Sequence, residues 1–130
     1  MTFRAYIVED SATIRENLIE TLRELARVEP VGSAETETEG RQWLDSHREA
    51  WDLAIIDLFL REGSGLNMLA ACRNRRPGQK MIVLSNHATR DIRARCAALG
   101  ADAVFDKSTE IDALMDFCLA ERAQREPRLN

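Results

Sequence analysis

Short runs of apolar and often β-branched residues alternate along this chain with longer segments in which apolar residues recur every three or four positions. The short runs are typical of buried parallel strands, and the longer segments are typical of helices that cover a sheet. The pattern therefore predicts strands and helices in alternation. The predicted strands are Arg4 to Val8, Pro30 to Ala34, Leu53 to Asp57, Met81 to Ser85 and Ala103 to Asp106.

The first predicted helix begins after Ser11, whose hydroxyl can cap it, and ends before Pro30. Apolar residues at helical spacing are expected to form the stripe that packs on the sheet. In this first helix they are Ile14, Leu18, Leu22 and Leu25. The third helix is predicted to start after Gly63-Ser64-Gly65, and its inward residues are Leu66, Leu69 and Ala70.

The other helices follow from the same periodicity and from capping residues. Their predicted ranges are Glu37 to His47 with Trp43 and Leu44 inward, Ala88 to Leu99, and Thr109 to about Arg122. Gly100 stands where the fourth helix needs a left-handed residue after its end, and Ser108 is placed to cap the fifth.

Strand and helix units joined by right-handed crossovers predict an α/β fold with an open, doubly wound parallel sheet. The chain has 130 residues, of which 45% are hydrophobic, and this is enough for one continuous core. We expect a single domain over residues 1–122 and a polar tail over residues 123–130, in which Pro127 stops any helix.

Charge and composition exclude several functions. A formal net charge of −4 gives no general attraction for a polyanion, so direct binding of nucleic acid is not expected. The cysteines Cys72, Cys96 and Cys118 match no metal-ligand spacing and are expected to be reduced. Neither a signal peptide nor a membrane span precedes Glu9, so we expect a cytoplasmic protein without a membrane partner.

Polar residues collect at the carboxyl ends of the predicted strands, where doubly wound sheets bind their ligands. They are Glu9 and Asp10 after the first strand, Asp57 on the third, Ser85 on the fourth and Lys107 after the fifth. Two like charges about 4 Å apart repel by about 4 kcal/mol at an effective dielectric constant near 20, so three carboxylates need a cation between them. Each residue alone would be an ordinary turn, cap or surface residue, but their joint placement predicts a divalent cation site.

Four segments resemble the signatures of response-regulator receiver domains of two-component signalling. They are Ile7-Val8-Glu9-Asp10-Ser11, Ile55-Ile56-Asp57-Leu58, Val83-Leu84-Ser85 and Phe105-Asp106-Lys107-Ser108. The resemblance covers roughly Phe3 to Glu121, nearly the whole chain. It implies a (βα)5 flavodoxin-like fold with strand order 2-1-3-4-5.

The resemblance also implies a site. Asp57 would accept a phosphoryl group from a phosphohistidine of a histidine kinase or a histidine phosphotransfer protein. Mg²⁺ (or Mn²⁺) would be held by Glu9, Asp10, Asp57 and the backbone carbonyl of Phe59. Ser85 would bind a phosphoryl oxygen and Lys107 would be its charge partner, so Asp57, Ser85 and Lys107 are the expected catalytic residues.

Such a domain is a switch and not an enzyme with a separate substrate, because it catalyses only its own phosphoryl transfer and dephosphorylation. Phosphorylation is expected to change the surface near Ser85 and Val104 and so to control an unknown downstream protein. The resemblance leaves open a dimer that forms on phosphorylation.

This chain departs from the family pattern at its switch position, where Val104 replaces the usual Tyr or Phe. Phe105 cannot substitute, because neighbouring strand residues point to opposite faces of the sheet. Phe59 and His87 occupy two positions that tune dephosphorylation in the family. The bulky ring of Phe59 is expected to exclude water and to prolong the phosphorylated state.

Two helix surfaces are possible docking sites for partners. Ser11, Arg15 and Ile19 share a face of the first helix on which a phosphodonor helix could dock, although Ile19 could equally widen the core stripe. On the fourth helix Arg90, Arg93 and Arg95 form a basic face, for which exposure to solvent is the simplest interpretation.

Other classes of function fit less well. An aspartyl phosphatase needs a second carboxylate two residues after the first, where this chain has Phe59. A flavin-binding module needs a phosphate cradle after the first strand, where Glu9 and Asp10 would repel phosphate. The alternative that stays open is a phosphorylation-independent, receiver-like protein-binding module, since Val104 weakens the ordinary switch without affecting the fold.

Overall fold

The computed structural model describes residues 2–126, which form a parallel sheet covered on both faces by helices. The strands are β1 (Phe3–Val8), β2 (Val28–Ala34), β3 (Leu53–Ile56), β4 (Lys80–Ser85) and β5 (Ala103–Asp106). The helices are α1 (Ala12–Ala26), α2 (Glu37–Ser46), α3 (Gly65–Ala71), α4 (Arg90–Ala98) and α5 (Ile111–Arg125). The strand order is β2-β1-β3-β4-β5, so the predicted flavodoxin-like fold is confirmed.

The sheet separates two hydrophobic clusters. One lies between the sheet and helices α1 and α5, and the other lies between the sheet and helices α2, α3 and α4. Successive residues of β1 alternate between them, with Ile7 in the first cluster and Tyr6 and Val8 in the second. Because both faces of the sheet are buried, its central strands are continuously apolar, which is why they could be found in the sequence.

Strand β2 lies at the edge of the sheet and begins two residues earlier than predicted, at Val28. It contains Pro30, which has no N–H to donate and is tolerated because an edge strand leaves one side unpaired. The register along β1 shifts after Ala5, which pairs with Pro30, so that Tyr6 pairs with Gly32.

The predicted stripe of the first helix is partly wrong. Leu18 and Leu22 are buried, but Ile14 is 40% exposed and Leu25 is 58% exposed. The buried positions of α1 are spaced by four, and Ala26 takes the place that was predicted for Leu25. The stripe therefore follows helical geometry and not side-chain size.

Helix α3 shows the same kind of error. Ala70 was predicted to face inward and is exposed, whereas Met68 is fully buried beside Leu69. In this short helix the two adjacent residues Met68 and Leu69 both reach the core.

The predicted cap of the fifth helix is also wrong. Ser108 directs its backbone N–H and its hydroxyl to Asp106, at 2.8 and 2.7 Å from Oδ1, and α5 begins only at Ile111. The predicted left-handed residue Gly100 is confirmed, with φ of 99°.

Helix α5 continues three residues beyond its predicted end near Arg122. Its last residue, Arg125, places its guanidinium 5.0 Å from the centroid of the Phe3 ring, and this contact fixes the end of the helix against β1. The remaining residues of the predicted tail, 127–130, lie outside the described residues.

The cysteines are free thiols, as predicted, and Cys96 and Cys118 are buried in the two clusters. Within residues 2–126, no helix combines the length and the apolar composition that a membrane crossing requires.

Candidate functional site

Three carboxylates meet at the carboxyl edge of the sheet. Glu9 and Asp10 follow β1, and Asp57 follows the adjacent strand β3, to which β1 is paired in parallel. One oxygen atom of each residue lies within 4.8 Å of an oxygen atom of the others. Glu9 is only 3% exposed and Asp57 only 7%, so two of the three charges are withdrawn from water.

Lys107 follows β5 and extends across the end of β4 to these acids. Its Nζ atom donates to Glu9 Oε1 at 2.5 Å and to Asp57 Oδ2 at 2.8 Å. Burial alone would lower the pKa of the Lys107 ammonium, but the hydrogen bonds to Asp57 and Glu9 outweigh it and raise the pKa above its ordinary value. The lysine therefore stays charged in the pocket.

Ser85 is fully buried at the end of β4, between the strands that lead to Asp57 and Lys107. Its Oγ atom accepts a hydrogen bond from the backbone N–H of His87 at 3.1 Å, and its carbonyl accepts from the N–H of Lys107 at 3.0 Å. The hydroxyl thus belongs to the same edge of the sheet but is held by the loop that precedes α4.

Phe59 lies in the loop after Asp57. Its backbone N–H donates to Asp57 Oδ1 at 3.3 Å, and its ring, which is 57% exposed, contacts the ring of His87 edge to face. His87 is exposed in the loop before α4 and not in the first turn of that helix. The structure therefore places both rings beside the acidic pocket.

The donor set of this pocket fits a small divalent cation. Three carboxylates and one ammonium leave two net negative charges among Glu9, Asp10, Asp57 and Lys107. Carboxylate and carbonyl oxygens are the ligands that Mg²⁺ and Mn²⁺ prefer. The residues present thus match a divalent cation in both charge and ligand type.

Arg15 was expected to lie on a docking face, but in the structure its guanidinium forms hydrogen bonds within the domain. Its side chain is largely buried and donates to the carbonyl of Glu9 at 2.8 Å and to Glu35 Oε1 at 3.2 Å. Arg61, in the loop after β3, donates to the other oxygen of Glu35 at 2.9 Å. Ile19 is partly buried against the core, so Arg15 and Ile19, two of the three residues of the predicted docking face, also make contacts within the domain.

Gly65 also shapes the site, although its sequence context did not indicate this. A Cβ atom at this position would lie 2.4 Å from the backbone oxygen of Asp57, which no real contact permits. The glycine lets the first turn of α3 approach the phosphoacceptor candidate closely. Glu37 accepts from the N–H of Ser64, in the preceding loop, at 2.9 Å and from the side-chain amide of Asn67, in α3, at 3.0 Å.

Fold and site together define a class of protein, a doubly wound α/β domain with an acidic pocket and a buried lysine at the carboxyl ends of its strands. The family model described as the response regulator receiver domain matches residues 5–118. The chain therefore belongs to the response regulator receiver domain family. Receiver domains are signalling domains and not classical enzymes, and membership implies a phosphorylatable signalling switch.

Curated relatives agree with the family. The photosynthetic apparatus regulatory protein RegA of Rhodobacter capsulatus is 28% identical over 88 residues, which are 68% of this chain and 47% of RegA. The response regulator protein PilR of Pseudomonas aeruginosa is 27% identical over 124 residues, which are 95% of this chain and 27% of PilR. The matched segments thus span about half of RegA and about a quarter of PilR.

A solved structure agrees with the fold. The receiver domain of the Francisella response regulator 1452 superposes with a TM-score of 0.82 at 16% identity and covers 96% of this chain and 100% of that chain. At this level of identity the likeness concerns the path of the backbone alone.

Proposed function

We propose that Asp57 accepts a phosphoryl group from a phosphohistidine of a histidine kinase or a histidine phosphotransfer protein, in a reaction that depends on Mg²⁺ or Mn²⁺. A carboxylate oxygen of Asp57 forms the new bond to phosphorus while the bond between phosphorus and the imidazole nitrogen breaks. The imidazole leaves with the electron pair of that bond. The product is an aspartyl phosphate on the receiver.

The ligands of the cation would be the carboxylates of Glu9, Asp10 and Asp57 and the backbone carbonyl of Phe59. When bound, the cation neutralises charge on the oxygens of the transferring phosphoryl group. Lys107 supplies the second positive charge to the same oxygens. Phosphoryl transfer depends mainly on such positioning and charge neutralisation, so the pocket needs no further acid or base.

The position of Lys107 is the observation on which this proposal depends. Its ammonium bonds to Asp57 and to Glu9 at once, although the two acids are on different strands. Ion pairing alone is a weak reason to bury a lysine between two carboxylates, because the cost of desolvating the charges can exceed their attraction. A lysine that acts on a group carried by Asp57 has a functional reason to lie there.

Ser85 supports the second half of the proposal, the switch. Moving an equilibrium from 1:99 to 99:1 takes about 5.5 kcal/mol, and a hydrogen bond to a charged group contributes about 1.5 to 3 kcal/mol. Ser85 and Lys107 acting together on the phosphoryl oxygens could therefore roughly account for a full shift, and neither could alone. The resulting change in the surface near Ser85 and Val104 would control the binding of a downstream protein or the formation of a dimer.

The test is phosphorylation by a small donor. The protein is incubated with acetyl phosphate and Mg²⁺, and its intact mass is measured. We expect the mass to increase by one phosphoryl group that is stable in acid and labile in base. This increase should not occur when EDTA is present during the reaction, and it should not occur in Asp57→Asn. The matched control Asp116→Asn, on the exposed side of α5, should be phosphorylated like the wild type.

A wild-type protein that folds, binds Mg²⁺ and gains no mass from acetyl phosphate or from a phosphorylated histidine donor would contradict the proposal. That result would favour the alternative, a receiver-like module that binds its partner without phosphorylation. Val104 is the residue that keeps this alternative open, since the ring of the ordinary switch is missing there.

A further inference from the structure

Arg93 was expected to belong to a solvated basic face, and its side chain is 40% exposed, but its guanidinium also bonds to other parts of the domain. Its guanidinium connects three segments that are separate in the sequence. Nε donates to the carbonyl of Ala88 at 3.0 Å, Nη1 donates to the carbonyl of Val104 at 2.8 Å, and Nη2 donates to Glu110 Oε1 at 2.5 Å. One side chain on α4 thus holds the loop before α4, the strand β5 and the start of α5.

Glu110 extends this connection toward the pocket. The same oxygen that accepts from Arg93 also accepts from the backbone N–H of Asp106 at 2.9 Å. Asp106 is the residue directly before Lys107. The Arg93 guanidinium is therefore separated from the backbone next to Lys107 by a single carboxylate.

Arg93 also bonds to the loop of residues 86–89 between β4 and α4, the Ser85 loop. The N–H of His87 donates to Ser85 Oγ at 3.1 Å, and the next residue, Ala88, gives its carbonyl to Arg93. If the Ser85 side chain rotates toward a phosphoryl group on Asp57, its Oγ atom moves away from the N–H of His87 and this hydrogen bond is weakened. The backbone that ends in the carbonyl of Ala88 then loses one of its restraints.

In the usual pattern of the family a large aromatic ring lies at position 104, between β5 and α4. Here the residue is Val104, and its carbonyl accepts a hydrogen bond from Arg93. A valine side chain is too short to transmit a displacement of the Ser85 loop to α4 and α5. The guanidinium has a rigid planar fork of five N–H donors and can therefore hold three acceptors in fixed directions.

We propose that Arg93 is the residue that couples the Ser85 loop to β5 and to the start of α5, and so performs the communication for which Val104 is too small. This proposal rests on the proposed function, because the signal it transmits is phosphorylation of Asp57. Arg93 is not among the residues proposed to hold the phosphoryl group or the cation. It is a positioning residue whose role is to make the two sides of the pocket move together.

The experiment measures how far the response to a phosphoryl mimic spreads. Backbone amide NMR spectra are recorded with Mg²⁺ before and after addition of beryllofluoride, for the wild type and for Arg93→Met, Arg93→Lys and Glu110→Gln. Arg95→Met is the matched control, since Arg95 is an exposed arginine on the same helix. Phosphorylation by acetyl phosphate is measured for each protein in parallel.

In the wild type and in Arg95→Met we expect shifts both in residues 86–89 and in residues 104–112. In Arg93→Met we expect the shifts in residues 86–89 to persist and those in residues 104–112 to fall to less than half. Arg93→Lys keeps the charge but not the fork and should resemble Arg93→Met. In Glu110→Gln the shifts of the Asp106 and Lys107 amides should decrease more than the shift of the Val104 amide.

A response in residues 104–112 that is undiminished in Arg93→Met would overturn the coupling role and leave the proposed function intact, provided that Asp57 is still phosphorylated. A merely structural role would lower the melting temperature of the free protein without changing the spread of the shifts. If Arg93→Met does not fold, Arg93→Lys and Glu110→Gln decide the question. If the wild type gains no phosphoryl group and shows no shift at all, both proposals fail together.

Discussion

The rings of Phe59 and His87 meet edge to face, with centroids 5.1 Å apart, and thereby join the two loops on either side of the pocket. Each ring belongs to a residue whose backbone N–H donates to a side chain of the site, Phe59 to Asp57 and His87 to Ser85. Edge-to-face pairs contribute about 0.5 to 1.5 kcal/mol beyond their burial. The contact therefore gives the exposed Phe59 ring a preferred position beside Asp57.

Replacing Phe59 should shorten the life of the phosphoryl group. In Phe59→Asn the apolar ring and its contact with His87 are lost, and a polar amide can orient water near Asp57. We expect the aspartyl phosphate to hydrolyse several-fold faster, up to about tenfold, which corresponds to about 1.4 kcal/mol in the barrier. The measurement is the decay of the phosphorylated mass after removal of acetyl phosphate.

Phe59→Leu is the control for this experiment, because it keeps an apolar side chain of moderate size at the same position. Its rate should lie between those of the wild type and Phe59→Asn. Decay in Phe59→Asn that is as slow as in the wild type, or slower, would count against the role of the Phe59 ring.

The ion pairs of Lys107 predict how the fold responds to Mg²⁺. In Lys107→Met the buried carboxylates of Glu9 and Asp57 lose their ammonium partner, and removing one partner of a buried ion pair costs about 3 to 5 kcal/mol. A divalent cation can replace the lost charge. We therefore expect a lower melting temperature without metal and a larger rise on addition of Mg²⁺ than in the wild type.

The control for this prediction is Lys80→Met. Lys80 lies at the other end of the sheet, at the start of β4, where its ammonium is 3.9 Å from Glu121. Its replacement should change the melting temperature little and leave the response to Mg²⁺ unchanged. Equal Mg²⁺ responses in Lys107→Met and the wild type, measured by differential scanning calorimetry, would show that the ammonium and the cation do not share these acids.

Gly65 predicts a steric effect on the site. In Gly65→Ala the added methyl group would meet the backbone oxygen of Asp57 at 2.4 Å and the side chain of Ile56 at 2.9 Å, so β3 and α3 must move apart. Overpacking of this kind typically costs about 1 to 3 kcal/mol. We expect this loss in urea unfolding and a slower phosphorylation of Asp57 by acetyl phosphate.

Gly78→Ala separates this clash from the general effect of removing a glycine. Gly78 has φ of 90° and no atom within 4 Å of an added Cβ, so its replacement strains the local backbone alone. It should lower stability by about 1 to 2 kcal/mol and leave phosphorylation at the wild-type rate. If Gly65→Ala phosphorylated as fast as Gly78→Ala, the close approach to Asp57 would have no functional consequence.

The part of the site that depends on strand ends could be predicted from the sequence. Parallel strands of a doubly wound sheet end at one edge, so residues that directly follow the strands must lie near each other. Glu9, Asp57 and Lys107 were therefore predicted to lie together, and the structure confirms that they meet. The strands themselves were recognisable because both faces of the sheet are buried.

The residues that hold the site in place could not be predicted in this way. Arg15 meets Glu35 across 20 positions of the chain, and Arg93 meets Glu110 across 17. No local period links such pairs, and an arginine on an amphipathic helix usually faces solvent. The error at Leu25 has a related cause, since large side chains were preferred over the smaller Ala26 that the helix geometry places on the sheet.

Arg4 and Asp52 form an ion pair at the amino edge of the sheet, and this pair predicts how the stability of the fold responds to acid. Asp52 Oδ2 accepts from the backbone N–H of Arg4 at 2.8 Å and from its Nε at 3.1 Å, and Oδ1 accepts from Nη2 at 3.2 Å. Burial alone would raise the pKa of Asp52, but the hydrogen bonds from Arg4 outweigh it and lower the pKa below the ordinary 3.8.

A carboxyl group whose pKa is lowered by folding stabilises the folded state above its unfolded pKa, and this contribution is lost as the pH falls through the folded pKa. Asp52→Asn should therefore be less stable than the wild type by about 1 kcal/mol at pH 6, since the pair is partly exposed. The difference should shrink as the pH falls below the ordinary aspartate pKa of about 3.9 and through the lowered pKa of Asp52 in the folded state. Urea unfolding at each pH measures it, with the exposed Asp116→Asn as control. A difference that stays constant or grows on acidification would mean that the charge of Asp52 does not stabilise the fold.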